Sequence, residues 1–375
     1  MELHDAMINS EPINDIDNHY HLNYCMSMKA YRFSPLFIAS AIVLSTLALL
    51  AGCSRPAEAD IELTVYSHRH YEADQKLYDL FTEQTGIRIA VQKGDADQLI
   101  QRLQAEGKAS KADILITADA GRLYLARQAG LLQAVESPKL QAIPAHLRDP
   151  DNFWFGLTKR ARVLAYDTQA ATKPTVNTYA GLADPALRGQ IVVRSSSNVY
   201  NISLLSALVD RWGEQASTEW AQGIVANLAR APQGGDRDQL KAVLAGTGSI
   251  AISNTYYIGQ LMSSSDPAER EVGSRIGIIF PDQDGEGVHI NVSGGGVTAH
   301  SANPQAAVRL LEFLVSPEAQ AIFAAENFEY PVIPGVALHP YIAAWGEFKE
   351  DQRSLLILGS NSATALAIAD KTGWK

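Results

Sequence analysis

Between Ile61 and Thr117 the chain alternates short β-branched runs with segments of helical period, and that rhythm excludes most folds before any motif is considered. Ile61–Tyr66 (IELTVY) alternates like a strand, and Asp74–Gln84 then carries Leu77, Leu80 and Phe81 at helical spacing before Gly86. Ile87–Val91 predicts a second strand, Asp97–Gly107 a helix with Leu99, Ile100 and Leu103 on one face, and Ala112–Thr117 a third strand. Strands and helices joined by short connections predict an α/β fold, a mostly parallel sheet covered by helices.

The rhythm breaks at Phe153–Tyr166 (FWFGLTKRARVLAY), a long extended run, and then resumes. Ile191–Val193 predicts a strand, Val199–Trp212 a helix, the region around Ser217–Arg230 a long helix, and Ser249–Ser253 a strand before another helix. A second non-helical stretch, Arg275–Thr298, precedes helices at Pro304–Val315 and Pro317–Asn327. Two α/β blocks joined by two extended crossings predict two lobes with a cleft between them. The expected division is 61–160 with 289–335 for the first lobe and 161–288 with 336–375 for the second. Ligands of open α/β sheets sit beyond the carboxyl ends of strands, so the residues just after the strands are the ones to inspect.

Residues 1–52 stand outside this pattern. Leu36–Leu50 is fifteen uncharged residues behind Lys29 and Arg32, too short for a comfortable membrane span and suited to the apolar region of an export signal. It ends in Leu50-Ala51-Gly52-Cys53, which resembles the lipobox of bacterial lipoproteins; the resemblance implies cleavage before Cys53 and acylation of that residue. A small-residue cleavage site with an incidental Cys is the alternative. The acidic stretch before Cys25 is foreign to an export signal, which places the expected start at Met26 or Met28. Residues 53–60 read as a tether.

Charge and cysteine count narrow the ligand. A net charge of −10 argues against a nucleic-acid backbone, which needs clustered Lys and Arg to displace counterions. Residues 1–52 hold five acidic and two basic side chains, so the chain from Cys53 onward keeps −7 and still suits a cation. Cys25 and Cys53 are the only cysteines, which excludes a disulfide framework and a Cys-ligated zinc or iron–sulfur site. Hard oxygen donors are the metal chemistry that remains.

Three strand-to-helix junctions carry such donors: Ser67-His68-Arg69-His70-Tyr71, then Arg194-Ser195-Ser196-Ser197-Asn198-Val199-Tyr200, and Asn254-Thr255-Tyr256-Tyr257. Any one tyrosine at such a place reads equally as a packing residue with its hydroxyl at the surface. Together they share a favourable field, because helix amino termini stabilise negative charge and phenolate is a hard anionic donor suited to a trivalent cation.

The segments VYSHRHYEADQKLYDLFTEQTGI and ADILITADAGRLYLARQAGLLQ, the NTYY site, the run VSGGGVTAHSANPQAAVRLLEFLVSPEAQ and the terminal GWK resemble the ferric-iron-binding proteins of bacterial ABC importers. The likeness covers most of the chain beyond Cys53 and is nearest to the cyanobacterial-type, multi-tyrosine members. It implies a type II, transferrin-like periplasmic binding protein with two crossover strands and an interlobe cleft. It implies Fe(3+) as the ligand, held by His70 and Tyr71 from the first lobe and by Tyr200, Tyr256 and Tyr257 from the second. The partners it implies are the permease and ATPase of the importer; together with the lipobox, the charge and the missing catalytic signatures, the expectation is a monomer that is not an enzyme, held at the membrane by a lipid anchor and binding no nucleic acid.

Arg69 and Arg194 flank these residues and are expected to hydrogen-bond phenolate oxygens, solvated surface arginine being the alternative. Asp119 lies near the carboxylate ligand of two-tyrosine relatives and reads here as structural or an N-cap. His68 and His70 form a His-x-His pair with no further His or Cys nearby to complete a zinc site. Tyr66, Tyr78 and Tyr124 read as core, and Tyr330 as a loop residue before Pro331. Gly294–Gly296 lacks the Gly-Lys-Ser/Thr of a P-loop and reads as a close crossing of the chain between lobes. A second reading keeps the fold and binds a small organic cation or oxyanion such as a polyamine, thiamine or a phosphate-like ion, with Tyr256 and Tyr257 stacking. An exported hydrolase is the third, without a Gly-x-Ser-x-Gly or His-Glu-x-x-His to support it.

Overall fold

The computed structural model describes residues 61–375. The expected signal segment 1–52, the acylation site Cys53 and the tether 53–60 lie outside the described residues. Eight strands follow in chain order: β1 Glu62–Ser67, β2 Arg88–Lys93, β3 Ile114–Thr117, β4 Phe155–Asp167, β5 Ile191–Val192, β6 Ile250–Asn254, β7 Ile276–Ile279 and β8 Ile290–Val297. The helices of eight residues or more are α1 Glu72–Thr85, α2 Ala96–Glu106, α3 Ala120–Gln128, α4 Val199–Asn227, α5 Asp236–Leu244, α6 Thr255–Met262, α7 Pro267–Arg275, α8 Pro304–Leu314, α9 Pro317–Glu326 and α10 Ser362–Thr372. No described helix is long and apolar enough to cross a membrane.

The strands order as β2-β1-β3-β8-β4-β6-β5, with β7 paired to β4. β1 runs parallel to β2 and β3, and β5 parallel to β6, the arrangement expected of strand–helix alternation. The expectation of a mostly parallel sheet is corrected at the two extended crossings. β8 is antiparallel to β3 and to β4, and β4 is antiparallel to β6 and β7. β8 follows β7 with no helix between them, so no crossover obliges it to run parallel to its neighbours.

β4 builds the two-lobed form. Its residues 155–161 pair with β8 and its residues 162–167 with β6 and β7, so one thirteen-residue strand belongs to both halves of the sheet. Leu63, Val65, Leu77, Phe81, Leu103, Ile114 and Leu115 are buried on the first side of this seam, and Ile191, Val192, Leu204, Trp220, Ile224, Ile250 and Ile252 on the second. Burial of each such side chain contributes about 1.5–3 kcal/mol.

Where a helix is expected its boundaries follow the apolar period closely, with one departure, and α5 and α7 are helices beyond those expected. The helices expected at 199–212 and 217–230 form one element, α4, interrupted at Gly213 where φ is 81° and ψ 167°. The second extended crossing, 275–298, holds the strands β7 and β8. The glycines of β8 answer to close backbone approach: a Cβ on Gly294 would come within 2.7 Å of the Phe155 carbonyl oxygen, and one on Gly296 within 2.5 Å of that of Phe153.

Candidate functional site

Each candidate tyrosine sits at the start of a helix because the chain leaves a strand there. Tyr71 is the N-cap of α1, with extended φ and ψ of −83° and 149° that end the loop after β1. Tyr200 is the second residue of α4, and its amide donates to the Asn198 side chain at 3.0 Å, which caps the helix. Tyr256 and Tyr257 follow Thr255 directly after β6, at the first turn of α6. The partial positive charge of three helix starts therefore faces one region.

The phenols meet there. Tyr200 Oη and Tyr256 Oη lie 3.4 Å apart. The Tyr71 ring stands edge-on to Tyr256 at 6.1 Å and 81°, and the Tyr256 and Tyr257 rings pack at 4.1 Å. Burial pushes the Tyr71, Tyr256 and Tyr257 phenols well above their ordinary value near 10, and the nearby Tyr200 pushes all three further in the same direction. Without a cation the Tyr71, Tyr256 and Tyr257 hydroxyls keep their protons; a cation among them would reverse that balance, since metal charge favours the phenolate.

His70 is the outermost member. It is exposed, stacks on Tyr71 at 5.1 Å and 29°, and lines a cavity of about 690 Å³ that runs along α1 past Gln75, Lys76 and Asp79. His68 diverges from it: its Nδ1 accepts the Ala118 amide at 3.4 Å, and burial holds its pKa down. The His-x-His pair thus does not converge, and among the described residues no group of three or more His, Cys, Asp or Glu could hold a metal. Asp119 caps α3 by accepting the Arg122 amide at 3.0 Å, and it also accepts from Asn291 Nδ2 at 2.6 Å and from Ser203 Oγ.

The arginines act otherwise than expected. Arg69 is neither solvated nor hydrogen-bonded to a phenol. It is buried beneath the ring of Tyr71, 4.7 Å from its centre, and donates to Asp74, Glu329, Thr158 and Ser293. A buried guanidinium needs that many acceptors, and two carboxylates keep its pKa well above the usual value. Arg194 is half-buried; its Nη1 donates to Asp236 at 2.7 Å, and its guanidinium lies 5.9 Å from the Tyr200 ring. Both arginines therefore place positive charge beside the phenols through ring contacts.

Three further residues belong to this site. Arg160 is buried, lies 5.2 Å from the Tyr200 ring and 3.6 Å from Glu329, and donates to Ser293 Oγ at 2.9 Å and to the Ala118 carbonyl. Its Nε has no hydrogen-bond partner among the described residues. Glu329 joins Arg69 and Arg160, while Tyr330, set aside above as a loop residue, packs in the same aromatic cluster as Tyr256. The available signal was the row Thr158, Arg160, Arg162, polar at every second position of β4 and buried at all three. Gly259 completes the mount of α6: a Cβ there would meet Phe328 at 2.6 Å, so only glycine lets the helix sit against that ring.

Comparison with known proteins agrees with this architecture. The family model described as bacterial extracellular solute-binding protein matches residues 76–350. The Iron uptake protein A1 of Synechocystis sp. is 44% identical over 336 residues, 87% of this chain and 93% of the relative. Among solved structures, the Trichodesmium protein IdiA (FutA) in complex with iron and citrate superposes with a TM-score of 0.81 at 44% identity, covering 84% of this chain and all of that one. The ferric binding protein from Campylobacter jejuni gives 0.81 at 43% identity with the same coverage.

Proposed function

The chain belongs to the bacterial extracellular solute-binding proteins, and from that premise we propose that it captures Fe(3+) between its lobes and delivers it to the permease of an ABC importer. The observation that carries this reading is the convergence of four phenols from three helix starts, with Tyr200 and Tyr256 in contact through their oxygens. Tyr71, Tyr200, Tyr256 and Tyr257 are the proposed ligands. Four phenolates against Fe(3+) leave a charge of −1, which Arg69, Arg160 and Arg194 offset from beneath and beside the rings. His70 is the fifth proposed ligand, adding a neutral donor from the solvent side.

An aromatic cage for an organic cation fits less well. Such a cage needs open ring faces, whereas Tyr71 and Tyr200 already carry guanidinium groups and Tyr256 and Tyr257 face each other. Ligands contributed by both sides of the β4 seam must meet one ion, so metal binding favours the closed arrangement of the lobes, divided as 61–160 with 289–335 and 161–288 with 336–375. Acylated Cys53 would tether a monomeric binding protein to the membrane beside the permease and its ATPase. Adding ferric citrate to the purified protein tests the function: one equivalent of bound iron with a visible phenolate-to-iron band supports it. A protein that stays colourless and gains thermal stability from thiamine or a polyamine overturns it.

A further inference from the structure

We propose that the carboxyl terminus clamps the loop that presents Tyr200, with Trp374 as the positioning residue for metal capture. The inference rests on the reading of Tyr200 as a ligand. Residues 193–198 form the short loop between β5 and α4, and its position sets where Tyr200 and Arg194 stand. A surface connection of this kind shifts easily unless it is tied down.

α10 packs along α4 and ends at Gly373, whose φ of 76° turns the chain back. Trp374 is thereby buried over the loop, its ring 5.9 Å from Trp220, which in turn meets Trp212 at 6.2 Å. Its Nε1 donates to the Arg194 carbonyl at 3.4 Å, and Ser196 Oγ donates to the Trp374 carbonyl. Asn201 Nδ2 closes the loop from the other side, donating to the Arg194 carbonyl at 2.8 Å and the Ser195 carbonyl at 3.1 Å. The last residues of the chain thus hold both neighbours of Ser195 across 178 and 180 positions of sequence. Because Arg194 lies over the Tyr200 ring and is anchored to Asp236, movement of the loop would displace a phenol and its compensating charge together. The terminal GWK therefore has a task at the site although it touches none of the proposed ligands through its side chains' polar atoms.

The test uses the full chain with Ser196→Ala and Trp374→Phe combined, which removes both hydrogen bonds and keeps a buried ring. The expected result is a folded protein whose ferric affinity falls about tenfold, the size typical of groups that orient a metal ligand, with a shifted phenolate band. Deleting residues 374–375 is expected to lower affinity further. Amide exchange over residues 194–202, measured without metal, is expected to quicken in the double variant. Wild-type affinity and band in that variant overturn the proposal, whether or not exchange quickens. If the unsubstituted protein binds no iron, the parent reading fails by itself, and the exchange measurement then decides the clamp: unchanged exchange overturns it and quicker exchange supports it.

Discussion

Tyr200 and Tyr256 bring their phenol oxygens to 3.4 Å although 56 positions separate them, each delivered by the first turn of its own helix. Tyr71 approaches the same point from the opposite side of the β4 seam. The chemistry proposed for this chain depends on that meeting, and so does its sensitivity to substitution.

Removing one phenol oxygen should be costly at the centre and milder at the rim. Tyr256→Phe is expected to weaken ferric binding by more than about a hundredfold, beyond the usual loss for groups behind a ligand, and to alter the visible band. His70→Ala, at the exposed edge, is expected to cost less than Tyr256→Phe. Competitive titration against a chelator of known strength measures both.

Binding should release protons. The Tyr71, Tyr256 and Tyr257 phenols are held above their ordinary value near 10 by burial, so at neutral pH they must lose their protons to ligate. At least about three protons per iron, those of Tyr71, Tyr256 and Tyr257, are expected in an unbuffered titration near pH 7, and affinity should fall as pH falls. For the metal-free fold the sign is opposite. A raised phenol pKa means the folded state keeps protons that the unfolded chain loses, so this stability is fully present below pH 10 and is lost as pH rises above it. Alkaline unfolding followed by circular dichroism checks that direction.

Much of the fold was legible because its signals are local. IELTVY, the Leu77–Leu80–Phe81 spacing and the tyrosines after β1, β5 and β6 reported a strand, a helix and three junctions directly. The hidden parts are long-range. Glu329 meets Arg69 across 260 positions and precedes a tyrosine and a proline, with no periodic pattern to mark it. Arg160 sits in a run whose alternation announces a strand without saying that its polar face is buried. α5, with Asp236, Arg237, Asp238 and Lys241 in nine residues, offered too little apolar period to read.

Arg69 should matter to the fold as well as to the ligand. Its guanidinium lies 2.9 Å from Asp74 and 3.0 Å from Glu329, with all three buried. Arg69→Met leaves the buried Asp74 without its cation and Glu329 with Arg160 alone, which is expected to destabilise by about 3–5 kcal/mol in urea unfolding of the metal-free protein. Glu329→Gln should cost less, because Asp74 still balances the charge.

Gly259→Ala should act on the site from behind. The added methyl would collide with Phe328, and relief requires α6 to move, carrying Tyr256 and Tyr257 with it. A loss of about 1–3 kcal/mol of stability is expected, with weakened metal binding, since overpacking at a rigid contact is absorbed by backbone shifts. Thermal unfolding and the chelator titration report the two effects separately.

The central claim is that phenolates from three helix starts hold one ferric ion. Resonance Raman spectroscopy of the iron-loaded protein, excited within its visible band, tests it most directly. The account predicts strong tyrosinate ring modes that weaken in Tyr71→Phe, Tyr200→Phe, Tyr256→Phe and Tyr257→Phe. Iron bound without tyrosinate modes, or modes unchanged by all four substitutions, would contradict it.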